Sequence, residues 1–131
     1  MKKISFLKGE VMKYFGLLIS LAIIAGAAIQ VGPHLYTDIM SLIFVVGGAL
    51  GFALLRNEPL QITKNFGAGA VYFGWLGTLI GLIAISGNAF GAWDSLSAMG
   101  PALAVSMLPL LYGYTLNLVC MAIAANPTED E

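Results

Sequence analysis

Four long apolar runs in this sequence contain no Asp, Glu, Lys or Arg, and that absence is the first constraint on its function. The runs are about Phe15–Val31, Ile39–Leu55, Phe66–Ser86 and Pro101–Ala125. A membrane protein that moves ions or substrates unaided usually keeps an ionisable side chain in mid-membrane, because such groups form relays and binding sites. Here the deep positions offer hydroxyls, the amide of Asn117 and many glycines. If the chain works on ions, the titrating group comes from another molecule. Cysteine is nearly lacking too. The single Cys120 excludes an internal disulfide and reads as a small apolar residue of a span. No His/Cys/Asp cluster, phosphate-cradling glycine loop or nucleophile constellation is present, so nothing points to an enzyme, a metal, a cofactor or nucleic-acid binding.

What the chain has in abundance is apolar surface. Hydrophobic residues make up 59% of its 131 positions and charged residues 10%, against roughly 25% charged in soluble domains. A membrane span takes about 20 apolar residues at about 1.5 Å rise each. The first two runs are slightly short and the last slightly long, which modest tilt or bilayer thinning accommodates. The sequence predicts an all-α, multi-pass membrane domain over residues 1–131 with four transmembrane helices. Lys2, Lys3, Lys8 and Lys13 precede the first span, and Arg56 and Lys64 fall between the second and third. The other two connections, Gly32–Asp38 and Gly87–Gly100, carry no Lys or Arg, which places both termini in the cytoplasm. Lys13 is followed by 18 uncharged residues and then a second span, a pattern of a retained helix rather than a cleaved leader. The acidic tail Glu129–Glu131 does not alter the orientation.

The connections carry their own signals. Residues 1–14 interleave lysines with Ile4, Phe6, Leu7, Val11 and Tyr14, as a short amphipathic helix on the cytoplasmic face does. Glu10 sits between Lys8 and Lys13 and reads as a surface charge pair. Gly32-Pro33 stops one helix, Asp38 can cap the next through free backbone N–H groups, and His34 reads as an interfacial loop residue. Glu58-Pro59 marks a turn in a connection too short for a cytoplasmic domain. In the outer loop, which also holds Phe90, Trp93 suits an interfacial anchor and Asp94 a cap for a short lead-in at Ser95–Met99. Pro101 then suits the first turn of the fourth span.

Chemistry, if present, lies in the last two spans. Gly67, Ala70, Gly74, Gly77 and Gly81 recur at three- and four-residue steps and form one small-residue face. Such a face admits a close neighbour, either within the chain or from another molecule. Thr78 is near mid-span beside that face. Its hydroxyl either bonds back to a carbonyl three or four residues earlier or points into a pore or at a partner helix. In the fourth span Ser106, Pro109, Thr115 and Asn117 interrupt the apolar run. Pro109 deprives the Val105 carbonyl of its donor and predicts a kink, while Asn117 calls for a hydrogen bond across a helix interface.

Several stretches together resemble a known family. Thr37-Asp38-Ile39-Met40-Ser41, leading into Val46-Gly47-Gly48, resembles the second helix of MotA-type flagellar stator subunits. Phe73-Gly74-Trp75-Leu76-Gly77-Thr78-Leu79-Ile80-Gly81 is similar to the Gly-Thr third helix of the wider MotA/TolQ/ExbB proton-channel family. Met99-Gly100-Pro101-Ala102, then Leu111-Tyr112-Gly113 and Asn117, resembles the fourth. The resemblance implies a stator subunit of a proton-driven motor complex in the bacterial inner membrane. It implies a homopentamer whose third and fourth helices surround a single-span, MotB/TolR/ExbD-like partner, which supplies the ion-binding Asp. Thr78, with Gly74, Gly77, Gly81, Ser106 and Asn117, would then face the ion pathway.

The chain departs from that family at three places. About ten residues stand where MotA proteins carry a large cytoplasmic domain, Val71 replaces a proline, and Pro109-Leu110 replaces a hydroxyl-bearing pair. Two rival readings are a self-contained four-helix transporter of the drug-exporter type, which would have to work through Glu10, and a non-conducting membrane scaffold.

Overall fold

The computed structural model describes residues 2–32, 38–88, 91 and 93–124. Among them every regular element is helical and no strand occurs: α1 (Lys2–Val31), α2 (Ile39–Arg56), α3 (Ile62–Ser86) and α4 (Leu96–Ile123), with one 3-10 turn at Pro59–Gln61. All four α-helices are long and apolar enough to cross a membrane. The expected loop residue His34, Phe90 of the outer loop and the tail Glu129–Glu131 lie outside the described residues.

The chain forms two units, residues 1–33 and 34–131. The first is α1, one uninterrupted helix of 30 residues. The lysine-rich start over 1–14, itself expected to be helical, continues without a break into the apolar stretch. Nothing between Tyr14 and Phe15 breaks a helix: no proline or turn residue intervenes, so the ladder runs through. Gly32 ends it at φ +141°, a conformation open to glycine, and its N–H bonds the Ala28 carbonyl at 3.0 Å.

In the second unit α3 is central, packing most extensively on α4 and next on α2. Small residues make this possible. Val45, Ala49 and Ala70 are fully buried where α2 meets α3, with Phe66, Tyr112 and Leu116 against them. Gly48 sits against the Phe73 ring and Gly69 against Phe52, so two aromatic side chains lie where a Cβ would otherwise stand. Phe44 meets Phe73 edge-on at 5.9 Å between centroids, and Phe52 and Tyr72 continue the row. Outward, Leu54, Leu55, Met40 and Ile83 are at least 70% exposed, the reverse of a water-soluble core and natural in hydrocarbon.

The helix ends correct three expectations. Asp38 precedes α2 but its side chain accepts no backbone N–H of the first turn; its carboxylate instead accepts the Ser41 hydroxyl at 2.5 Å. A neighbouring hydroxyl competes with the backbone for a short Asp side chain, and here it wins. Ser95, not Asp94, caps α4, its hydroxyl accepting from the Ala98 N–H. Lead-in and span are one helix, so Pro101 lies five residues inside α4 rather than in its first turn. Between α2 and α3, Asn57 takes the left-handed conformation at φ 53° and returns its N–H to Ala53, which ends α2 without glycine. Glu58 is extended before Pro59, as steric restriction requires. Trp93 donates its indole N–H at 2.7 Å to the Ile85 carbonyl, which also accepts the Asn88 N–H at 2.9 Å.

Candidate functional site

The glycine face of α3 is occupied by the chain itself. A Cβ built at Gly74 would stand 2.8 Å from the Pro109 carbonyl oxygen and 3.2 Å from the Leu110 Cα. One at Gly77 would meet Pro109 and Phe44, and one at Gly81 would meet Ser106. Gly113 returns the arrangement from α4, its missing side chain leaving room for the Ala70 carbonyl. Of the two uses the sequence left open for this face, packing within the chain is the one seen.

Thr78 lies four residues after Gly74 and three before Gly81, so it shares their side of α3, toward α4. It is 6% exposed, and its Oγ1 has no hydrogen-bond partner. Among the described residues it is the one buried hydroxyl left so, whereas three other helical hydroxyls bond back to their own helix. Ser20 bonds back to Gly16, Ser106 to Ala102 and Thr115 to Leu111, each at 2.8–2.9 Å. The back-bond open to Thr78 is not made.

Pro109 is buried within a continuous α4, and Asn117 rests its carboxamide against Gly67. Among the described residues Asn117 makes no cross-helix hydrogen bond, contrary to expectation. Glycine at position 67 lets the amide lie flat on the neighbouring backbone instead. Buried Ser106 faces Gly81, near a cavity of about 650 Å³ between the ends of α2, α3 and α4 that carry Asp38, Ser86 and Leu96. Ser41, Gly77, Pro101 and Pro109 also line it. Its two hydroxyls have already spent their protons, Ser41 on Asp38 and Ser106 on Ala102, so they offer only lone pairs inward. Among the described residues no group of three His, Cys, Asp or Glu side chains assembles.

This arrangement has no titrating group of its own and one unsatisfied hydroxyl at mid-span. Over 70 residues the chain is 42% identical to the chemotaxis protein PomA of Vibrio alginolyticus. The relationship this supports is MotA-like. The match covers 53% of this chain and 26% of that protein, so the chain spans about a quarter of its relative's length. No protein-family model matches the chain, and no solved structure matches it. Together with four span-length helices, the similarity supports a multi-pass membrane protein.

Sequence reasoning missed several polar groups. Asn65, 5% exposed near the start of α3, has an Nδ2 without a partner. It precedes the apolar run, where asparagine is common and carries no signal. Tyr112 accepts a backbone N–H from Asp38, and Tyr114 accepts the Trp75 indole N–H at 3.3 Å. These pairings link residues 74 and 39 positions apart, beyond the reach of any local pattern.

Proposed function

We propose that this chain is the channel-forming subunit of a proton-driven, stator-type complex in the bacterial inner membrane. In this reading several copies, five by analogy with the MotA-like family, surround a single-span partner whose membrane-embedded Asp binds the proton. The observation that carries it is the Thr78 hydroxyl, buried at mid-span without a partner. Leaving a hydroxyl unsatisfied in an apolar surrounding is costly, and a back-bond to the preceding turn is the usual remedy. A hydroxyl kept open in this way is suited to a group the chain does not itself contain.

The chemistry assigned to the chain is modest. Thr78 exchanges a hydrogen bond with the partner carboxyl, or with water beside it, and so steadies one protonation state against the other. The glycine contacts bring α3 and α4 close and hold Thr78 at a defined depth. The ion proposed is a proton, for which a carboxyl and water suffice, whereas a metal cation takes several oxygen ligands and the Pro109 and Leu110 side chains supply none. The similarity to PomA supports the stator class.

The test is Thr78→Val in the intact complex, read as proton flux into membrane vesicles. Flux should fall at least tenfold while the subunit still assembles with its partner. Unchanged flux would remove Thr78 from the pathway. Wild-type complexes that assemble but pass no protons would favour the scaffold reading.

A further inference from the structure

The cavity beside Ser106 has the depth of a single membrane leaflet. Its walls run from Gly77 to Ile85 on α3 and from Ala98 to Pro109 on α4. At about 1.5 Å per residue these stretches are about 12 Å and about 16 Å long. Half of a hydrocarbon core of about 30 Å is about 15 Å. The volume of about 650 Å³ falls among small-ligand sites, which occupy about 300–1,000 Å³. Ile80 and Val105 line the cavity and are exposed, so it opens sideways, at the depth of the lipid tails. Its origin is local. Gly77 meets Pro109 and Gly81 meets Ser106, which pins α3 to α4, and the small side chains of Ala84, Ala98 and Ala102 leave the space beyond unfilled.

The walls say what kind of guest fits. The only polar side chains lining the cavity are the buried Ser41 and Ser106, and both have given their protons to Asp38 and Ala102. Nothing inside donates to a guest, so its body is apolar. The polar feature stands at one end, where the Asp38 carboxylate is held beside the cavity by the Ser41 hydroxyl. Because successive spans alternate in direction, all six Lys and Arg residues fall on the far side of the bilayer: Lys2, Lys3, Lys8, Lys13, Arg56 and Lys64. Asp38 and Asp94 stand on the near side with the weakly basic His34. A second copy, oriented alike, brings no Lys or Arg to this level either. A leaflet-deep apolar slot beneath a carboxylate matches an amphiphile with a cationic head and a hydrocarbon tail. A lipid head of net negative charge is repelled by the same carboxylate.

We propose that this cavity binds one acyl chain of an ammonium-headed phospholipid, of the ethanolamine type, with the ammonium at the Asp38 carboxylate. The site is distinct from Thr78 and does not depend on proton conduction. Its occupant wedges the ends of α3 and α4 that carry Ser86 and Leu96, completing packing that the alanines leave open.

The experiment places the purified full-length chain in nanodiscs holding equal amounts of two phospholipids with identical acyl chains, one ethanolamine-headed and one glycerol-headed. After release from the nanodisc, native mass spectrometry counts the lipids retained. The wild-type chain should keep the ethanolamine lipid over the other by roughly threefold, as one partly exposed ion pair allows. Asp38→Asn, whose amide oxygen can still accept the Ser41 proton, should abolish the preference. Ala102→Leu and, on the opposite wall, Ala84→Leu fill the slot and should lower retention of both lipids. Equal retention by the wild type, or an undiminished preference in Asp38→Asn, would overturn the headgroup assignment. Retention indifferent to both leucines would overturn the cavity. A photo-crosslinking amino acid at Val105 should join to lipid in cell membranes, and an adduct to α1 or to a second copy instead would show that protein fills the slot and overturn the proposal.

Discussion

The backbone N–H of Asp38 donates to the hydroxyl of Tyr112 at 2.9 Å, joining the start of α2 to α4 across 74 residues of sequence. Free N–H groups at a helix start normally find a nearby side chain or water. Here a phenol from another helix serves, while the Asp38 carboxylate takes the Ser41 hydroxyl. Tyr112→Phe leaves the ring and removes the acceptor. It should lower stability by about 1–2 kcal/mol, the cost of stranding a part-buried N–H. Thermal unfolding in detergent checks this, and an unchanged midpoint would show that water replaces the phenol.

Two sets of glycines should respond oppositely to alanine. At Gly74 the new methyl meets the backbone of Pro109 and Leu110, which cannot turn aside as a side chain would. Gly74→Ala should therefore push α3 from α4 and cost about 1–3 kcal/mol. Gly47 and Gly51 on α2 have nothing within 4 Å of a built Cβ. Alanine there should be neutral or gain up to about 1 kcal/mol from helix propensity. Equal losses at all three positions would contradict the packing described.

Thr78→Val separates stability from function. Because the hydroxyl has no partner within the chain, replacing it with a methyl should leave the isolated subunit as stable or more stable, by up to about 1 kcal/mol. Loss of stability in the isolated subunit would mean that the hydroxyl is already bonded there.

At the start of α4, Ser95→Ala should cost about 1 kcal/mol and Asp94→Ala much less. The measurement is helix content and unfolding midpoint of the two variants side by side. A larger effect at Asp94 would restore the cap expected from the sequence.

These cases show which parts of the fold local sequence can encode. Runs free of charge marked every span, because the cost of a charge in hydrocarbon outweighs most other terms. The start of α4 lies before Pro101, and local pattern did not reveal it because a helix tolerates proline near its first turns. The glycine face was visible, but not which helix fills it, since any close neighbour satisfies the same pattern. Thr78 stood out by position alone. That its hydroxyl is left unbonded depends on rotamer and neighbours, as do the pairings of Tyr112 and Tyr114.

The charge-free interior of α2, α3 and α4 also bears on how the chain responds to voltage. A unit charge carried across the membrane field exchanges about 2.3 kcal/mol per 100 mV. These helices carry none in their interiors, so their own rearrangement contributes almost no gating charge. In the proposed complex, any dependence on membrane potential would belong to the ion and to the partner carboxyl that receives it. In electrical terms the interiors of these three helices are insulators.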